Sequence, residues 1–239
     1  MQNTSRILLP LDTDTADKAL ALAKSLQNEV AGFKVGLELI NSAGFDVFEK
    51  LAKLDNPNVF YDCKYHDIPN TVAGAARAAG RRGLWMFNIH ASGGSAMLKA
   101  AVKGAEEGAA AGGHKKPLVI AVTVLTSIDQ STLTDEIGVD RTVEAQVIAL
   151  AKLAQDAGCD GVVASAHEIE AIRKACGPDF KLVIPGIRPA GSDVGDQKRV
   201  MTPAQAVHAG ADYLVIGRPI YAAADPVAVA RQINAETAN

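Results

Sequence analysis

Cysteine is scarce: Cys63, Cys159 and Cys176 are the only three in 239 residues. An odd count at wide spacing fits neither a disulfide framework nor the paired spacings of a metal site, so reduced thiols in the cytoplasm are expected. A surplus of positive charge is missing too, with 24 basic against 27 acidic side chains and a formal charge of −3. That balance argues against nucleic acid as a partner, which calls for a clustered basic face. No apolar stretch reaches the roughly 18 residues that cross a bilayer, so no membrane association is expected. The opening Met1-Gln2-Asn3-Thr4-Ser5-Arg6 has neither the charged head nor the apolar middle of a signal peptide. No phosphate-binding P-loop, dinucleotide fingerprint or Ser-His-Asp arrangement can be picked out. What remains, at 48% hydrophobic and 21% charged, is an ordinary globular chain with enough apolar material for a large core.

Eight short apolar runs recur along it, at residues 7–11, 32–35, 59–64, 86–89, 118–125, 161–164, 182–184 and 213–216. Several are continuous rather than alternating, as strands of a helix-covered parallel sheet should be. Amphipathic, alanine-rich segments lie between them. Asp14 is placed to cap a helix over 16–26, with Ala19, Leu22, Ala23 and Leu26 on one stripe. Thr142 and Thr202 precede helices at 143–157 and 203–209, and Gly158 and Gly210 can end them. The small-residue stretch 104–113 reads as a helix end plus loop. Eight βα units in about 200–250 residues is the arithmetic of a TIM (β/α)8 barrel. A doubly wound sheet usually needs fewer strands and a glycine-rich first turn, which Leu11-Asp12-Thr13 is not. One catalytic domain over 1–239, with no linker, is expected.

In such a barrel chemistry belongs at the C-terminal strand ends, and polar residues gather there. Asp12 follows the first strand, Lys34 lies in the second, and Asp62 and Lys64 lie in the third. His90, Thr126-Ser127, Ser165 and Gly217-Arg218 follow later ones. The densest group is Asp62-Cys63-Lys64-Tyr65-His66-Asp67. Strand alternation puts Asp62 and Lys64 on one face and Tyr61 and Cys63 on the other. An isolated ion in a dry barrel interior is very costly, so these charges must compensate one another. Flanking carboxylates would favour protonated Lys64, ready to deliver a proton to a carbanion. The competing reading is a buried salt bridge that ties the third strand to its neighbours; Lys34 and Asp67 nearby weigh against it.

Gly217-Arg218-Pro219 joins a strand to a helix and suits phosphate, through free N–H groups and a planar guanidinium; a plain turn with a surface arginine competes. Residues 185–202 form a glycine-rich stretch longer than about 12–15 residues, which is usually functional or disordered. It can serve as a lid, with Gln197 donating to phosphate, or as a surface excursion. His66 and His90 lack the spaced partners of a metal site, and no metal is expected. Trp85, Phe87 and Cys63 read as core.

The run Asp62-Cys63-Lys64-Tyr65-His66-Asp67-Ile68-Pro69-Asn70-Thr71 closely resembles the D-x-K-x-x-D-I-P-x-T signature of the orotidine 5′-monophosphate decarboxylase family. Agreement in order and spacing extends to Leu9–Asp12, Phe33–Gly36, Asn88–Ser92, Val124–Ser127, Pro185–Arg188, Gly195–Gln197 and Ile216–Pro219. The resemblance implies decarboxylation of orotidine 5′-monophosphate to UMP in pyrimidine biosynthesis, without cofactor or metal. It implies a homodimer of barrels with shared active sites. It assigns Lys64 as the proton donor to C6, Asp62 to the place beside the substrate carboxylate, and Lys34 to the charge array near the ribose. Asp67 and Thr71 would reach into the partner's site. Asp12 would hold ribose hydroxyls, Thr126 and Ser127 the base, and Arg188, Gln197, Gly217 and Arg218 the phosphate. The alternatives are a metal-dependent sugar-phosphate decarboxylase of the same suprafamily, a non-catalytic nucleotide-binding barrel, and a Schiff-base lysine.

Overall fold

A computed structural model describes residues 4–189 and 201–238. All eight apolar runs form strands: β1 (Ile7–Pro10), β2 (Gly32–Val35), β3 (Val59–Tyr65), β4 (Met86–His90), β5 (Leu118–Val122), β6 (Gly161–Val163), β7 (Lys181–Pro185) and β8 (Tyr213–Val215). They pair in chain order, every neighbour parallel, and β8 returns to β1 to close the barrel. Closure leaves no sheet edge, and the crossovers carry the helices outward. Those helices are α1 (Ala16–Leu26), α2 (Leu37–Ala43), α3 (Asp46–Leu51), α4 (Pro69–Arg81), α5 (Gly94–Gly112), α6 (Val143–Asp156), α7 (Ile169–Cys176), α8 (Pro203–Ala209), α9 (Arg218–Tyr221) and α10 (Pro226–Glu236).

Alternation divides the apolar residues into two cores. Leu8, Phe60, Met86, Ile120 and Val183 point inward and plug the barrel. Ile7, Leu9, Phe33, Val35, Tyr61, Phe87 and Ile89 point outward and pack under the helices. The inward plug fills the lower barrel, so any inward polar residue above it faces a space with a dry floor.

Local capping follows the threonines. Thr142 accepts from the Ala145 N–H at the start of α6, and Thr202 forms a full capping box with Gln205 at the start of α8. Gly158 and Gly210 then turn the chain at positive φ. At α1 the cap is Thr15 rather than Asp14: its hydroxyl accepts from the Lys18 N–H, while Asp14 pairs with the Lys18 ammonium at 2.8 Å. A β-region residue one step later in the chain faces the free N–H groups better, and the longer-range charge partner takes the carboxylate.

The stretch 104–113 is the last half of a helix with its stop, and contains no loop. Helix α5 runs unbroken to Gly112, and Gly113 at φ +70 stops it. Its glycines make a stripe against α4: a Cβ at Gly104 would be driven into the Ala73 carbonyl, and one at Gly108 into the Arg77 carbonyl. Gly80 presents the reciprocal gap on α4, where a Cβ would lie 2.7 Å from the Ala109 nitrogen. The two helices therefore touch backbone to backbone. Trp85 packs half-buried against the inner core and meets Tyr213 edge-on, 5.3 Å between ring centroids, while Phe87 is fully buried in the outer layer. Cys63, Cys159 and Cys176 are all free thiols. Among the described residues no helix is long and apolar enough to cross a membrane.

Candidate active site

Three adjacent strands bring the charges together at the upper end of the barrel. Lys34 on β2 lies between two acids, its Nζ 3.2 Å from Asp12 Oδ1 and 3.3 Å from Asp62 Oδ2. Lys64 Nζ lies 2.6 Å from Asp62 Oδ1. Asp62 thus holds one ammonium on each oxygen, and Asn88 Nδ2 donates to Oδ1 at 2.6 Å. Burial pushes the Asp62 carboxyl up, but Lys34, Lys64 and the hydrogen bonds from Lys64 and Asn88 outweigh it and hold its pKa below the ordinary carboxylate value. The depressed value means that ionised Asp62 stabilises the fold above the usual carboxylate range, and this is lost as pH falls through its folded pKa.

The path of β3 differs from plain alternation. Tyr61 pairs with Phe87 but Tyr65 pairs with Ile89, so four steps on β3 match two on β4. The slack is taken up at Lys64, whose φ of +50 makes it the one non-glycine residue in left-handed conformation among the described residues. Such backbone strain recurs at functional sites when the surroundings over-determine it.

Beside the array opens a cavity of about 210 Å3 lined by Lys34, Asp62, Lys64, Asn88, Thr126 and, at its floor, Phe60. Its walls are largely aliphatic, from Val122, Val163, Val183 and Val215. A larger hollow of about 800 Å3 lies at the other end, beside Trp85, Tyr213 and Asn58. It is open and holds no such array, and catalysis in this fold belongs to the opposite face.

The signature continues into structure as expected in part. Thr126 borders the cavity, whereas Ser127 is exposed outside it. Gly217 and Arg218 stand at the junction of β8 and α9, and a Cβ at Gly217 would lie 2.8 Å from Pro10 Cγ, so the close approach of β8 to β1 requires glycine. Arg188 is half-buried beyond β7, its N–H donating to the Met201 carbonyl at 3.1 Å. Gln197 lies outside the described residues. Asp67 does not join the array within this chain: it is exposed, with Oδ1 accepting from the Ile68 N–H at 2.6 Å. Within this chain, Asp62 is the acid that meets Lys64. Thr71 is exposed on the first turn of α4.

A match to the family described as "Orotidine 5'-phosphate decarboxylase / HUMPS family" covers residues 5–233. The chain belongs to the orotidine 5′-phosphate decarboxylase / HUMPS family. Within that family it is 54% identical over 236 residues to a Moorella thermoacetica protein named orotidine 5′-phosphate decarboxylase, covering 99% of this chain and 93% of the other. A Paramagnetospirillum magneticum protein of the same name is 53% identical, with 96% and 97% covered. The crystal structure of orotidine 5′-phosphate decarboxylase from Lactobacillus acidophilus superimposes with a TM-score of 0.83 at 37% identity, covering 98% of this chain and all (100%) of that one.

Two features of this family member escape a reading of strand ends alone. Asn88 reaches the array from β4, in the inward register of Met86; a lone amide in an apolar strand is the signal that points to it. Gly36 leaves room for the array: a Cβ there would sit 2.9 Å from Lys34 Nζ. His66 and His90 stack at 5.3 Å beside the site, and burial, then His66 and Lys64, hold the His90 pKa down. Among the described residues no group of three or more His, Cys, Asp or Glu side chains is placed to hold a metal ion.

Proposed function

We propose that this chain decarboxylates orotidine 5′-monophosphate to UMP, the closing reaction of pyrimidine nucleotide synthesis, with no metal or coenzyme and with Lys64 protonating C6. The observation that carries the mechanism is the Lys34–Asp62–Lys64 array over an apolar cavity. As the bond from C6 to CO2 breaks, its electron pair stays on C6 in the ring plane, orthogonal to the π system. Resonance offers little help there, so a fixed positive charge is the available stabiliser. The Lys64 ammonium supplies it and then transfers a proton to C6, leaving neutral lysine that recovers its proton from solvent. Asp62 holds that ammonium in place and meets the substrate carboxylate. With both its oxygens already engaged by ammonium groups, Asp62 is poorly disposed to bind a cation, which favours this reading over the metal-dependent sugar-phosphate decarboxylase.

In the same reading Asp12 and Lys34 hold the ribose, Thr126 rather than Ser127 meets the base, and Arg188, Gln197, Gly217 and Arg218 take the phosphate. Asp67 and Thr71 serve the partner's site in a cytoplasmic homodimer; their exposure beside Ile68, itself 67% exposed, supports that arrangement. No nucleic acid or membrane takes part.

The deciding experiment follows orotidylate loss by absorbance with EDTA-treated protein. Full turnover is expected; no turnover, or turnover restored only by magnesium, would overturn the reading. Arg218→Ala should weaken UMP binding by roughly 100-fold or more while leaving uridine binding near its original value, because a charge-assisted fork acts on phosphate alone. Calorimetric titration of both ligands checks this, and an equal loss for the two would place the phosphate elsewhere.

A further inference from the structure

We propose that Asn88 is a positioning residue for the reaction: its amide locks the left-handed backbone of Lys64 and the carboxylate of Asp62 into one rigid unit. The inference rests on the decarboxylase reading above and assigns the source of the array's geometry.

Asn88 is 1% exposed, inside the barrel, with apolar Met86 before it and half-buried His90 after it in the same register of β4. A buried amide in such a place must have its hydrogen bonds satisfied. Its Oδ1 accepts from the Lys64 backbone N–H at 2.7 Å, and its Nδ2 donates to Asp62 Oδ1 at 2.6 Å. The chemistry of the partners fixes this orientation, since a backbone N–H can only donate and an ionised carboxylate can only accept. The Asn88 carbonyl also takes a hydrogen bond from the Cys63 thiol at 3.1 Å. One residue therefore grips three consecutive positions of β3 across the irregularity, the segment where its register against β4 slips.

The consequence is geometric. Left-handed backbone at a lysine is unfavourable and needs a restraint. With φ near +50 the Lys64 side chain turns back toward Asp62 and the cavity. Released from Asn88, the backbone can relax toward ordinary strand geometry, and the ammonium then leaves its place over C6. Misplacement of a reacting group by about 1 Å can cost on the order of 100-fold in rate. Ground-state binding of the nucleotide should depend little on Asn88, whose Oδ1 and one Nδ2 hydrogen are engaged by Lys64 and Asp62.

The test compares the parent enzyme with Asn88→Ala and Asn88→Ser, each verified as folded by circular dichroism; the Ser variant is the fallback if the Ala variant does not accumulate. The expected result is kcat lower by roughly 30-fold or more with UMP affinity within about threefold, the signature of an interaction realised in the transition state. The acid limb of kcat/KM should also move to higher pH, because Asp62 loses a donor that favours its ionised form. A side chain that merely fills space would leave that limb in place. The inference is overturned if kcat stays within about threefold of the parent, or if kcat and UMP affinity fall together. Failure of the parent itself to consume orotidylate would refute the function instead. Direct titration of the Asp62 carboxyl by carbon NMR, in parent and variant, then still reads the Asn88 contact.

Discussion

Lys64→Ala is expected to abolish turnover of orotidylate, by about 10,000-fold or more, while UMP still binds. The reason lies in how one ammonium serves two needs. In the proposed mechanism it neutralises charge as it develops at C6, and it provides the proton that ends the reaction. Substitution by alanine removes both at once, whereas the residues proposed to contact phosphate and ribose sit on other strands. Single-turnover assays with purified variant, alongside UMP titration, check this. Retained turnover would remove Lys64 from its proposed role. Removing Lys64 also leaves Asp62 Oδ1 with only the Asn88 donor, while Lys34 still faces Oδ2. The variant should therefore keep its fold, since the buried carboxylate retains one cation and one hydrogen bond.

A second large effect is expected far from the chemistry. Gly108→Ala should destabilise the fold by about 1–3 kcal/mol, and Gly108→Leu should prevent accumulation of folded protein. On α5 the added Cβ has no free space: it collides with the Arg77 carbonyl, a backbone atom of α4 that cannot rotate aside. The helices must separate, and the same separation opens the contacts at Gly80 and Gly104. Chemical denaturation of the Ala variant, compared with Ala substitution at Gly74, where a Cβ meets nothing within 4 Å, isolates the packing cost from helix propensity. Equal stability changes at the two sites would show that the backbone contact is not rigid. Helix α4 carries Thr71 and begins two residues after Asp67, so loosening its seat on α5 should also disturb the surface proposed to serve a partner's site.

Much of this was legible along the chain. Apolar runs of three to eight residues, several of them continuous, named all eight strands, because residues buried on both faces of a parallel sheet have no reason to alternate. Counting them pointed to the barrel, and the barrel told which strand ends to search. Asp12, Lys34, Asp62 and Lys64 all came from that search, and the structure brings the four together. Where the chain misled, the cause was competition among neighbours. Thr15 displaced Asp14 as a cap, and the glycines at 104–113 looked like the start of a loop because a glycine's role depends on what stands opposite it. Asp67 lies three residues past Lys64, where the chain has left the strand, so within this chain it is exposed rather than part of the array.

Residue order alone determined the strands, the inward and outward faces, and the stock of ionisable groups at the mouth, since each depends on local periodicity and composition. Tertiary structure decided which of those groups meet. Lys34 reaches Asp62 through the register of β2 on β3, and Asn88 reaches both Asp62 and Lys64 across the slip between β3 and β4. Strand closure, not sequence separation, sets those distances. The left-handed turn at Lys64 belongs to the same class: an unfavourable backbone state that a single strand would abandon, held because a neighbouring strand supplies the amide that fits it.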